Sequence, residues 1–90
     1  MVLKFSPSAE AAFKALIADA AKDALIDRLN DLLDVLEADP ADPRVRRRRF
    51  IDPPLWCFTV RDAVDTHVVL WELDLAGDPV VVHLGSASFT

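Results

Sequence analysis

The sequence predicts a small α+β domain, an N-terminal helical pair packed on a mainly antiparallel C-terminal sheet, and three observations carry the prediction. From Ser8 to Ala38 there is no Gly or Pro, and apolar residues recur at the three- and four-residue spacing of an amphipathic helix. From Val45 onward the chain divides into four short runs rich in Val, Phe, Trp, Leu and Thr, the profile of strands. Ninety residues make one domain, because chains divide only well above that length.

Val2–Phe5 is a short apolar run with Lys4 on the alternate face, which predicts a first strand. Ser6 and Pro7 predict a helix start: the Ser hydroxyl can accept from an orphan N–H, and Pro at the first helical position lacks a donor that would be unpaired anyway. Phe13, Leu16, Ile17 and Ala20 form one helical stripe, and Leu25, Leu29, Leu32 and Leu36 another, with Leu33 beside it. A single helix over this stretch would run about 45 Å, too long for so small a globule, so a break is predicted near Asp19–Asp23. Asp39-Pro40 ends the second helix, since the residue before proline is pushed out of the helical region. Residues 40–43 are a connector. Strands are predicted at Val45–Ile51, Leu55–Arg61, His67–Leu73 and Val80–Leu84, separated by short Pro-, Asp- and Gly-bearing turns. The expected order is β-α-α-β-β-β-β, with helices covering one sheet face.

Apolar residues make up 52% of the chain and there are only two Gly, which excludes a disordered chain. No apolar run approaches the ~20 residues that span a bilayer, and the N-terminus carries no secretory pattern. Cys57 is the single cysteine, so neither an internal disulfide nor a cysteine metal cluster is expected, and a reducing cytoplasm is. No cofactor is expected. Net charge is −5, which argues against a general nucleic-acid binder. Its distribution is uneven: residues 1–43 hold four basic and nine acidic side chains, whereas residues 44–90 hold six of each.

Five of the ten basic residues fall within Arg44–Arg49. In a strand, Arg46 and Arg48 would share one face and Arg47 and Arg49 the other. Such a row can hold phosphates or dock an acidic partner. It can equally be neutralised by the nine carboxylates upstream, in exposed pairs that contribute about 0–1 kcal/mol each. Arg61 ends a predicted strand and can contact a phosphate or pair with Asp62 or Asp65. His67 and His83 lie in apolar strands, where they can share a sheet face as an acid/base pair near neutral pH or serve as scaffold. Trp56, Phe58 and Trp71 can stack on bases or fill the core; Cys57, with no cation next to it in sequence, reads as inert.

Several ordered motifs resemble those of the RelE/ParE superfamily of bacterial toxins. Phe5-Ser6-Pro7-Ser8-Ala9 resembles the family's F-S-P-x-A helix start, and Leu33…Leu36…Asp39-Pro40 resembles its L-x-x-L-x-x-D-P helix end. Leu55-Trp56 up to Arg61 resembles its L-W-R-x-R-V strand, His67–Leu73 its Y-R-V-I-Y-E-I strand, and Val80–Gly85 its V-x-V-L-x-V-G strand. The resemblance covers about residues 3–85.

That resemblance implies the toxin-like component of a type II toxin–antitoxin pair, with an antitoxin-like protein as partner. In the ribosome-dependent mRNA endonuclease branch, cations offset charge on the scissile phosphate and a side chain moves a proton. Here Arg46, Arg48 and Arg61 would hold phosphates and His67 would transfer the proton. The alternative is a ParE-like or non-catalytic module that binds DNA gyrase or an antitoxin-like partner. The sequence departs from the nuclease pattern where chemistry is done: the family's basic strand positions fall on Cys57 and Thr59, its next arginine on His67, and the basic residue after the last strand on Ser86.

Overall fold

Ser6 and Pro7 turn the chain from its first strand into its first helix. In the computed structural model, which describes residues 2–46, 48–50, 55–61 and 66–86, β1 (Lys4–Phe5) is followed by α1 (Pro7–Ile17). The Ser6 hydroxyl accepts from the Ala9 N–H at 3.2 Å and donates to the Val82 carbonyl at 3.1 Å. One side chain therefore caps the helix and ties it to the sheet.

The predicted break falls where expected. A short 3₁₀ turn, Ala20–Lys22, separates α1 from α2 (Asp23–Ala38). Asp19 caps the turn, its carboxylate accepting from the Ala21 N–H at 3.0 Å, and Asp23 places a negative charge in the first turn of α2, where the helix dipole favours it. On α2, Leu25, Leu29, Leu33 and Leu36 are buried. Leu32, expected in that stripe, is half-buried at its edge and Leu33 takes its place, in keeping with the wider apolar face of a helix lying on a sheet.

The remaining strands are β2 (Arg48–Phe50), β3 (Leu55–Arg61), β4 (Thr66–Leu73) and β5 (Pro79–Ser86). They form one mixed sheet in the order β1-β5-β4-β3-β2. β1 runs parallel to β5 and the other pairings are antiparallel. The α+β class and the element order thus match expectation. Register opposes Trp56 to Trp71 and Phe58 to Val69, and this face meets the buried leucines of α2 in one core. A bulge on β5 sets Val81 opposite Trp71 but His83 opposite Leu70, leaving Val82 as the extra residue. Both Val81 and Leu84, three residues apart, are consequently buried.

The strand expected at Val45–Ile51 is shorter than predicted: Val45 and Arg46 precede it, and Ile51 lies outside the described residues. Competing bonds explain the difference. Val45 N–H bonds the Asp42 carbonyl at 3.1 Å and Arg46 N–H the Pro43 carbonyl at 3.3 Å, which wraps this segment into turns. The Val45 side chain is fully buried, and its carbonyl accepts from the Trp71 indole N–H at 2.9 Å. Burial and a buried hydrogen bond override the strand preference of valine here.

Asp74 and Gly77 shape the β4–β5 turn. The Asp74 carboxylate accepts from the N–H groups of Ala76 and Asp78, both at 2.9 Å, and Gly77 adopts φ +86°, which costs residues with a Cβ more than glycine. Lys4 reaches across from β1 to Asp74 at 2.7 Å and Asp78 at 3.4 Å.

Candidate functional site

Two arginines of the run, Arg44 and Arg46, are engaged within the chain. Arg44 bonds Asp42, its Nε at 3.0 Å and its terminal nitrogen at 2.9 Å. Those bonds, then the Arg44 backbone N–H, hold the Asp42 carboxyl down to about 2, below the ordinary 3.8. Arg46 is half-buried over two stacked indoles, its guanidinium 4.5 Å from the Trp56 ring centre and 5.6 Å from that of Trp71. Its Nε also donates to the Pro40 carbonyl. Arg46 thus closes the connector onto the sheet. Arg47 lies outside the described residues; Arg48 and Arg49 are placed by backbone register, opposite Cys57 and Trp56 on the edge strand β2.

His67 and Arg61 occupy different faces of the sheet. His67 pairs in register with Val60 and Ser86, on the face packed against α1. It lines a cavity of about 420 Å³ with Ala12, Leu16, Asp19, Lys22 and Ser86. Its Nδ1 is buried with no hydrogen-bond partner. Arg61 pairs with Thr66, shares the opposite face with Cys57 and Thr59, and is exposed. His83, opposite Leu70, belongs to that second face and is exposed, so the two histidines do not form a pair on one face. Cys57 is buried there. Trp71 and Phe58 are buried in the core, with half-buried Trp56 packed against it.

A larger concavity lies between the helices. A groove of about 560 Å³ is lined by Leu3, Phe5, Phe13, Ile17 and Leu33, with Glu10, Lys14, Asn30 and Asp34 along it. Phe5 and Phe13 meet edge to face at 5.5 Å. Ile17 is 55% exposed at one end. Lys14 pairs with Glu10 at 3.2 Å on the α1 bank.

Sequence reasoning left two features unassigned. The groove combines residues from β1, α1 and α2, and no single periodicity marks such a surface; of the apolar helix residues the sequence offers for a groove, Leu16, Ile26 and Leu33, only Leu33 lines it. Arg28, set between Asp27 and Asp31 on an otherwise acidic helix, was the second. Its guanidinium donates to the Arg61 carbonyl.

Among the described residues no cluster of three or more His, Cys, Asp or Glu side chains could hold a metal ion, and no helix is long and apolar enough to cross a membrane. No protein family, curated protein or solved structure matches this chain.

Proposed function

We propose that this chain is the toxin-like component of a bacterial type II toxin–antitoxin pair, built on a RelE/ParE-like scaffold and acting in the cytoplasm through protein contacts. The observation that carries the reading is the apolar groove between α1 and α2, open at Ile17. Its occupant is the apolar face of an antitoxin-like segment, a mode of recognition that suits a helix in a groove. Residues 1–43 carry net −5, so basic flanks on that segment would be favoured.

The endonuclease branch has less support. Proton transfer and phosphate stabilisation must converge on one scissile bond, yet His67 and Arg61 lie on opposite faces of the sheet, and Arg46 is engaged by two indoles.

Regulated expression in a bacterium tests the reading. The expected result is growth arrest without transcript cleavage, relieved by the product of an adjacent small gene. Ile17→Asp should still arrest growth but resist that relief. SOS induction would identify gyrase as the target. Transcript cleavage abolished by Arg61→Ala or His67→Ala would select the endonuclease instead, and absence of any growth effect would overturn the toxin-like reading.

A further inference from the structure

The cavity of about 420 Å³ beside His67 has a lining of two kinds. Ala12, Ala15 and Leu16 of α1 and Leu84 of β5 are apolar, whereas Asp19, Lys22, His67 and Ser86 are polar. Helical spacing sets Ala12, Ala15 and Leu16 on the flank of α1 away from Glu10, Phe13, Lys14 and Ile17, so this cavity is separate from the groove. Ser86 stands opposite His67 in the pairing of β4 with β5. Residues paired in that way project from the same sheet face, their Cβ atoms about 4.5–5.5 Å apart. Nδ1 of His67 is buried without a partner. A buried N–H left unpaired is rarer than a buried acceptor left unpaired, so the neutral ring holds its proton on Nε2, which is the donor left to a ligand. Asp19 caps the 3₁₀ turn through Oδ1, and its second oxygen can still accept.

We propose that this cavity binds a free α-amino acid with an apolar side chain. The carboxylate of the ligand accepts from His67 Nε2–H and the Ser86 hydroxyl, neighbouring donors that suit its two oxygens. The ammonium meets the Asp19 carboxylate, and the side chain lies against Ala12, Ala15, Leu16 and Leu84. Charge selects the zwitterion. The lining carries one negative charge, on Asp19, and one positive charge, on Lys22. A simple carboxylic acid is opposed by the first and a simple amine by the second. A wholly apolar ligand would cover His67 and Ser86 without pairing them, which is unfavourable. The volume is that of a small-molecule site. The inference rests on the cavity and does not require the toxin-like reading.

Titration of the full chain with L-phenylalanine, followed by two-dimensional amide NMR, tests it. Phenethylamine and hydrocinnamate serve as the same body lacking one charge. The expected result is saturable shifts at Ala12, Ala15, Gly85 and Ser86, with each analogue binding roughly tenfold more weakly than the amino acid. Ser86→Ala and His67→Leu should each weaken L-phenylalanine roughly tenfold and leave phenethylamine unchanged, since each removes a carboxylate donor. Ser86 is exposed, so its replacement reads the hydroxyl without disturbing the core, and melting curves check that each variant folds. Asp19→Asn keeps a capping oxygen for the Ala21 N–H. It should weaken L-phenylalanine and leave hydrocinnamate unchanged or tighter. No shift at these amides, or equal affinity for the three compounds, would overturn the proposal. So would binding of L-phenylalanine that is indifferent to both Ser86→Ala and Asp19→Asn. Hydrocinnamate binding more tightly than L-phenylalanine would overturn the zwitterion and mark a site for simple carboxylates.

Discussion

The guanidinium of Arg46 lies 4.5 Å above the centre of the Trp56 ring, with its Nε donating to the Pro40 carbonyl. An arginine from the most basic stretch of the chain is thereby a structural clasp. Arg46→Ala should destabilise the fold by about 1–2 kcal/mol, the range of a partly desolvated cation–π contact with an added hydrogen bond. Arg46→Lys should recover part of this, since an ammonium keeps the charge but not the planar fork. Urea denaturation of the three proteins checks the order, and an unchanged midpoint for Arg46→Ala would refute the clasp.

Trp71 works beneath the same clasp. Its indole N–H reaches the Val45 carbonyl at 2.9 Å, and both residues are fully buried. Trp71→Phe leaves that carbonyl unpaired and a void beside it, so a loss of about 2–4 kcal/mol is expected. Val45→Ala keeps the carbonyl bond and should cost less. Chemical denaturation distinguishes the two; equal losses would show that packing alone holds the connector.

Acid should weaken the fold through two surface carboxylates. Bonds from Arg44 hold Asp42 at about 2 in the folded protein. The Lys4 ammonium, followed by the Asp78 backbone N–H, lowers Asp74. A carboxyl depressed by folding contributes stability above its unfolded value and loses it as pH falls through the folded one. The loss attributable to Asp42 therefore falls between about 3.8 and 2. Asp42→Asn and Asp74→Asn should each flatten the acid limb of a melting-temperature profile, less so in high salt, because exposed pairs are screened. A limb of unchanged steepness in both variants would reject the assignment.

Gly77 sits at φ +86°, and a Cβ there would meet no atom within 4 Å. Gly77→Ala should therefore cost only the backbone conformation, about 1–2 kcal/mol. Asn tolerates that region better than Ala, so Gly77→Asn should lose less. Thermal melts of both variants check the ranking; Asn as damaging as Ala would point to a role beyond conformation.

The parts of the fold that local chemistry decides were legible in the sequence. Ser6-Pro7 announced the first helix, Asp19 and Asp23 the break, and Asp39-Pro40 the end of the second helix. What escaped is decided across the sheet. Val45 and Arg46 have the composition of a strand, but the Trp71 indole and the Asp42 turn claim them. The Val82 bulge reverses the alternation of β5, and the separation of His67 from His83 by face follows from pairing register rather than residue type. The same limit applies to sites. Charge density drew attention to Arg46, whereas His67 and Ser86 come to one cavity only through the pairing of β4 with β5.

His67 provides a test of whether stability explains its presence. Its Nδ1 is buried against α1 without a hydrogen-bond partner, and a buried, unmatched polar atom costs about 1–3 kcal/mol. Leu fills a similar space without a polar atom. His67→Leu should accordingly leave stability unchanged or raise it by up to about 1 kcal/mol, whereas most substitutions destabilise. His67→Asn, which keeps polar atoms in the same place, should gain nothing. If His67→Leu is as stable as the parent yet loses the growth effect of the expressed protein, the imidazole serves function at the expense of stability, as functional residues often do. A loss above about 1 kcal/mol in denaturation of His67→Leu would instead mean that the ring is a structural part of the α1–sheet packing.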